Sequence, residues 1–124
     1  MNYYSLLLVG FGGLLGSILR FLLGVGCDRW FPGYPYGTLF VNVVGCFLIG
    51  LFYGMISRAW LPESGSRLWV VGFCGGFTTF SSFSYDGLRL LQDDRWLAYG
   101  LYTGGSVLLG LLATYLGWTL MRFV

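Results

Sequence analysis

Apolar residues come in four long runs separated by short polar turns. The runs extend from Tyr4 to Gly26, Gly37 to Ile56, Leu68 to Leu91 and Trp96 to Phe123. Each is near or above the roughly 20 residues a helix needs to cross the hydrocarbon core of a bilayer. Between them lie Asp28-Arg29 with Pro32-Gly33 and Pro35, then Pro62-Glu63-Ser64-Gly65-Ser66-Arg67, then Gln92-Asp93-Asp94-Arg95. These connections carry turn formers and charge. The pattern predicts an all-α integral membrane protein, one domain over residues 1–124 with four transmembrane helices per subunit. Trp30, Trp60, Trp69, Trp96 and Trp118 fall near the ends of the runs, where an interfacial aromatic belt would put them. Met1-Asn2-Tyr3-Tyr4-Ser5 has no basic residue and no small-residue cleavage site follows, so the first run is expected to be retained rather than removed as a signal peptide.

The third run is not uniform. Gly72-Phe73-Cys74-Gly75-Gly76-Phe77-Thr78-Thr79-Phe80-Ser81-Ser82-Phe83-Ser84 sets helix breakers, hydroxyls and phenyl rings inside a segment of membrane length. Gly75 and Gly76 each cost about 1 kcal/mol relative to Ala in a helix. Thr78, Thr79, Ser81, Ser82 and Ser84 offer the backbone rival hydrogen bonds. A break near Gly75 to Thr78 is expected, and its freed backbone groups need partners away from lipid. One such partner is a bound cation, with hard oxygen ligands suiting Na⁺; the other is a kink packed against neighbouring helices.

Beyond the break, helical spacing puts Thr79, Ser82 and Asp86 on one face and Phe77, Phe80 and Phe83 on an adjacent stripe. Ring edges are positive and hydroxyls donate, which suits a small anion. Ordinary packing, and hydroxyls bonding back to their own helix, are the plainer alternatives. Asp86 is the one acidic residue inside an apolar run. An intramembrane carboxylate is a functional candidate, although Arg89 three residues on offers it an ion pair. Arg20 either snorkels to the interface or faces an aqueous vestibule, where its charge would concentrate anions. Asn42 either donates to an anion or joins two helices. Ser106 and Thr114, eight residues apart, can face one groove.

Composition narrows the class. The chain is 56% hydrophobic and 10% charged, against roughly 25% charged in ordinary soluble domains. All basic residues are Arg, they are scattered, and a net charge of +2 makes no nucleic-acid patch. There is no P-loop and, with no His, no nucleophile–His pair, so no enzyme chemistry is indicated. Cys27, Cys46 and Cys74 stand far apart without zinc-ligand spacing and read as reduced apolar thiols. Glycine fills 21 of 124 positions, and the four-residue spacings Gly12/Gly16, Gly50/Gly54 and Gly72/Gly76 suit close helix approach in lipid. Four spans would put both termini on one side, with Arg58, Arg67 and Arg122; Arg29, Arg89 and Arg95 would lie opposite. That balance gives little orientational preference, so insertion both ways and an inverted homodimer are expected; the alternative is a single orientation set by a bias in the first helix.

Taken together, these residues resemble the bacterial fluoride channel family, known as Fluc or CrcB. The resemblance covers essentially the whole chain. It rests on Gly12-Gly13 with Gly16 and Arg20, on Gly37-Thr38-Leu39 with Asn42, and most specifically on the Gly72 to Ser84 string. It implies a dual-topology homodimer in the bacterial inner membrane, with two parallel fluoride pores built by both subunits. The third helix would be broken, and the backbone carbonyls of Gly75 and Thr78 would hold a structural Na⁺ at the dimer centre. Phe80 and Phe83 would be the pore phenylalanines, Ser81 and Ser82 with Thr114 the hydroxyl track, Asn42 the pore asparagine and Arg20 the vestibule arginine. Helical spacing adds Thr79 and Ser106 to these candidates. The sequence departs from the family in two places: Gly110, four residues before Thr114, is often Ser there, and Asp86 is usually Glu. The rival readings are a small four-span drug or cation exporter, which needs a carboxylate that the first span lacks, and a non-transporting structural membrane subunit.

Overall fold

A computed structural model describes residues 2–124, which form helices joined by turns. Helix α1 spans Tyr3–Trp30, α2 Tyr36–Ser57 and, last in the chain, α5 Trp96–Phe123. Between α2 and α5 lie α3, residues 63–77, and α4, Phe80–Gln92. Three helices, α1, α2 and α5, are long and apolar enough to cross a membrane. The third apolar run is divided between α3 and α4.

Local chemistry sets the helix ends. Asn2 caps α1 by accepting from the Ser5 amide at 2.9 Å and the Ser5 hydroxyl at 2.6 Å, satisfying an amide that has no partner in the first turn. The helix continues past the expected Gly26 to Trp30, so Asp28 and Arg29 belong to its last turns. Gly33, with φ of 90°, turns the chain into α2. Helices α2 and α4 both end on a left-handed residue, Ala59 (φ 58°) and Asp94 (φ 57°). The following amides, of Trp60 and Arg95, reach back to the Met55 and Leu90 carbonyls at 2.9 Å. That pairing serves orphan carbonyls at a helix end and usually employs glycine. No glycine marked either stop in the sequence.

The start of α3 also differs from the apolar run, since helix begins at Glu63 rather than Leu68. One α-turn at Glu63–Ser66, braced by a Glu63–Arg67 ion pair, leads into π-helical winding over Arg67–Cys74. The rod tightens again at Gly75–Phe77.

Two glycine seams hold the bundle. On α1, a β-carbon at Gly12 would lie 2.8 Å from the Phe73 nitrogen, and one at Gly16 2.8 Å from the Phe77 nitrogen. Reciprocally, β-carbons at Gly72 and Gly76 would stand 2.7 Å and 2.6 Å from the Val9 and Gly13 carbonyl oxygens. Backbone meets backbone because neither side carries a side chain. The second seam joins α2 to α5, where Gly50 faces Thr114 and Trp118, Gly54 faces Met121, and Gly117 faces Phe47 and Leu51. Small residues allow such approach in lipid, where dispersion replaces the hydrophobic effect. Gly110 belongs to this seam too, buried against the Cys46 sulfur. The surface is largely apolar and covers 8015 Å², above the roughly 6,600 Å² expected of a compact soluble chain of this mass.

Candidate functional site

The break falls at Thr78 and Thr79, not at the glycines. Gly75 and Gly76 are helical, and the backbone turns extended at Thr78 (φ −82°, ψ 156°) and Thr79 (φ −150°, ψ 113°). The glycines serve packing instead: Gly76 sits on Gly13, and Gly75 faces open space. Thr78 is seated on α2 at Gly45, where any β-carbon would collide with its methyl group.

Four side chains manage the exposed backbone. Asn42 Nδ2 donates to the Thr79 carbonyl at 3.0 Å, and Asn42 Oδ1 accepts from the Thr79 amide at 2.8 Å. Arg20 Nε donates to the Gly76 carbonyl at 3.0 Å. The Thr78 hydroxyl donates to the Cys74 carbonyl at 2.9 Å. Thr79 caps α4, its Oγ1 accepting from the Ser82 amide at 3.1 Å while lying 3.2 Å from the Ser81 hydroxyl. In an unbroken helix the Thr79 and Ser82 amides would serve the Gly75 and Thr78 carbonyls. Here they are engaged by Asn42 Oδ1 and Thr79 Oγ1 instead.

A cleft of about 250 Å³ opens beside the break, lined in part by Arg20, Asp28, Thr38, Val41, Thr79 and Ser82. Among the described residues Arg20 bonds through Nε alone, to Gly76, which leaves its two Nη groups to the cleft. A larger crevice of about 440 Å³ continues toward the α1–α2 turn and shares Asp28 and Thr38 with the first. Its outer wall carries Arg89, Asp93 and Arg95, with Arg95 donating to the Gly33 carbonyl. Burial raises the Tyr34 phenol above its ordinary value, with Tyr36 adding and Arg95 opposing, so this mouth residue is a neutral hydroxyl at physiological pH.

The aromatic stripe is split by the break. Phe77 is buried and stacked on Phe73, with ring centroids 5.6 Å apart and planes at 12°. Phe80 is 79% exposed and lies 5.7 Å from Phe83, whose ring stands 5.3 Å from that of Tyr102. A three-residue repeat describes one helix face only while the helix is continuous, and Thr78 and Thr79 interrupt it. Asp86 does not take the ion pair with Arg89 that is the plainer of its two readings. Its Oδ2 accepts from the buried Tyr102 hydroxyl at 3.3 Å, and no Asp86–Arg89 ion pair forms among the described residues.

Within one chain the fold therefore gathers Arg20, Asn42, Thr78, Thr79, Ser81 and Ser82, with Phe80 and Phe83 close by along α4. Thr114 packs its backbone on Gly50, eight residues beyond Asn42 along α2, roughly 12 Å at 1.5 Å per residue. Ser106 is half-buried on α5. Neither makes a hydrogen bond to the Ser81–Ser82 pair among the described residues. Sequence reasoning missed Asp28 and Thr38 as cleft residues and Gly45 as the seat of Thr78. Thr38 stood in the Gly37-Thr38-Leu39 string that carried the resemblance, whereas Asp28 lay in what read as a connection.

The family model described as "CrcB-like protein, Camphor Resistance (CrcB)" matches residues 7–118. The chain belongs to the CrcB family. It is 41% identical over 126 residues to the fluoride-specific ion channel FluC of Nitrobacter winogradskyi, covering 100% of both chains. It is 46% identical over 118 residues to that of Rhizobium leguminosarum bv. trifolii, covering 94% of both. For the Phocaeicola vulgatus protein of the same name the identity is 44% over 114 residues, covering 91% of this chain and 94% of the relative. With three apolar helices of spanning length, this CrcB chain is a multi-pass membrane protein.

Proposed function

We propose that the chain is a fluoride-selective passive anion channel of the bacterial inner membrane, not an enzyme, working as an antiparallel homodimer with two pores. The observation that carries this reading is the break in the third segment: hydroxyls and a guanidinium line the cleft beside it, and the ring pair Phe80–Phe83 adjoins it. Its full-length relatives carry the name fluoride-specific ion channel.

Helices α3 and α4 together form the fourth crossing of a single membrane domain. Their 28 helical residues extend about 40 Å at 1.5 Å each, more than the roughly 30 Å hydrocarbon core. The inverted pairing is supported by the three-against-three Arg balance and by what one chain leaves facing outward. Phe80, Ser81 and Gly75 are exposed beside the break, Thr114 is seated on Gly50 about two turns from Asn42, and among the described residues neither Thr114 nor Ser106 bonds to the hydroxyls it would join. A second copy supplies those groups across the interface, so each pore draws on both subunits.

Hydrogen fluoride crosses membranes as the neutral acid and ionises at near-neutral cytoplasmic pH, trapping the anion. A passive path lets the internal negative potential drive fluoride out, with roughly 2.3 kcal/mol available per charge per 100 mV. Fluoride is small and strongly hydrated, so entry requires donors in place of water. The Arg20 Nη groups concentrate the anion in the cleft. Ser81, Ser82 and the partner's Thr114 donate along the path, and Phe80 and Phe83 present ring edges that contact the anion without holding it tightly. A narrow, donor-rich route favours fluoride over chloride.

The donor set at the break fits a structural Na⁺. The Gly75 and Thr78 carbonyls are hard oxygens whose usual amides are engaged elsewhere, and a second inverted copy doubles their number. When bound there, the ion supplies a positive charge beside the anion paths.

The decisive measurement is fluoride-electrode efflux from liposomes holding the purified protein, with chloride as control. Rapid, proton-independent fluoride release with little chloride release is expected. Proton-coupled drug movement would point to an exporter, and no flux of any kind to a structural subunit.

A further inference from the structure

Asn42 is one of the residues the resemblance casts as a pore donor, yet both polar ends of its amide already face the chain. Oδ1 accepts from the Thr79 amide at 2.8 Å and Nδ2 donates to the Thr79 carbonyl at 3.0 Å. A single planar side chain thus binds both main-chain groups of one residue, as an adjoining strand would. Thr79 is accordingly extended, with φ −150° and ψ 113°. Three residues along α2, on the same face, Gly45 receives the Thr78 methyl. The two halves of the break are therefore docked on one stripe of α2.

This docking has a consequence one turn back. The Thr79 amide is the donor that a continuous helix would give to the Gly75 carbonyl, and Asn42 diverts it. We infer that Asn42 is a positioning residue that clamps the third segment in its broken form and thereby keeps the Gly75 carbonyl available to a cation. The inference rests on the Na⁺ reading above, and it makes α2, which contributes no carbonyl to that set, the element that creates the site. An amide is required because it carries a donor and an acceptor in one plane. Asp at this position would turn a carboxylate oxygen toward the Thr79 carbonyl, and Ala would release both groups. Among the described residues the second Nδ2 hydrogen has no partner, so contact with the anion is compatible with the clamp; what separates the two roles is the cation.

The test uses full-length protein in detergent, melted in sodium chloride and in N-methylglucamine chloride at equal ionic strength. For the unaltered protein, Na⁺ is expected to raise Tm by about 5 °C or more. Asn42→Asp and Asn42→Ala should lose most of that rise, whereas Phe80→Ile should keep it although its efflux is impaired. If the Asn42 variants lose fluoride efflux but retain the full Na⁺-dependent rise, Asn42 is only an anion donor and the clamp is wrong. A general drop in Tm with the rise preserved overturns it equally. Absence of the rise in the unaltered protein instead removes the Na⁺ reading beneath it. Amide hydrogen exchange on the unaltered protein needs no variant: the Thr79 amide should exchange slowly, and fast exchange there sinks the clamp.

Discussion

Helices α3 and α4 come from one apolar run, yet they meet opposite surroundings. Before the break, α3 is pressed backbone to backbone on α1, with Val70, Gly72, Cys74 and Phe77 buried. After it, α4 buries only Gly87 and Leu90 and leaves Phe80, Ser81, Ser84 and Tyr85 exposed. The first half is fixed by its own subunit. The second offers hydroxyls and rings to something beyond the chain, which the proposed partner supplies. A broken helix thus separates anchorage from chemistry within a single crossing. The break also frees backbone groups that an intact helix would have paired internally.

Substitutions on the two sides should fail in different ways. The largest effect on transport is expected on the far side, where Phe80→Ile should cut fluoride efflux by more than about tenfold, equivalent to at least ~1.4 kcal/mol on the barrier. Size-exclusion chromatography should show assembly unchanged. Efflux equal to the parent's would remove the ring-edge role and leave α4 as packing. On the near side, Gly72→Leu forces a side chain against the Val9 carbonyl and should destabilise the fold by about 3 kcal/mol through overpacking. The matching change on the exposed face, Ser84→Leu, should shift stability by no more than about 0.5 kcal/mol. Denaturant titration in mixed micelles measures both, and equal losses would erase the contrast between the halves.

A smaller effect sits at the junction. Thr79→Val removes the oxygen that accepts from the Ser82 amide, at a cost of about 1 kcal/mol, and Thr79→Ser should restore it. No difference between Val and Ser would mean that Asn42 alone terminates α3. Smallest of all, Tyr102→Phe deletes a 3.3 Å hydrogen bond to Asp86 and should cost less than about 1 kcal/mol. It leaves the ring beside Phe83 in place, so efflux should persist. A large loss of efflux would move the Tyr102 hydroxyl into the anion path.

Much of the architecture was legible along the chain. The ends of α2 and α5 follow those of the apolar runs to within a residue, because a bilayer-length helix must be apolar throughout. The paired glycines foretold the seams, since only residues without side chains let two backbones touch. The abundance of hydroxyls near Thr78 announced a break. Its exact place was not announced, because glycine spacing serves close packing and chain breaking alike, and only contact with α1 distinguishes the two. Gly76 lies on Gly13 and stays helical, while Thr78 is drawn out of the helix by its seat at Gly45.

The candidate chemistry divides in the same way. Sequence alone determined which groups exist inside the apolar segments: hydroxyls, rings, the Arg20 guanidinium, the Asn42 amide and the Asp86 carboxylate. Only the tertiary structure decided their partners, because residues 37 and 56 positions apart meet through helix packing that no local pattern encodes. Thus Asn42 turned to the Thr79 backbone, Arg20 to Gly76, Asp86 to Tyr102 instead of Arg89, and Phe77 inward while Phe80 stayed outside. Thr114 kept its distance for the same reason: the glycine seam between α2 and α5 seats it on Gly50, about two turns beyond Asn42.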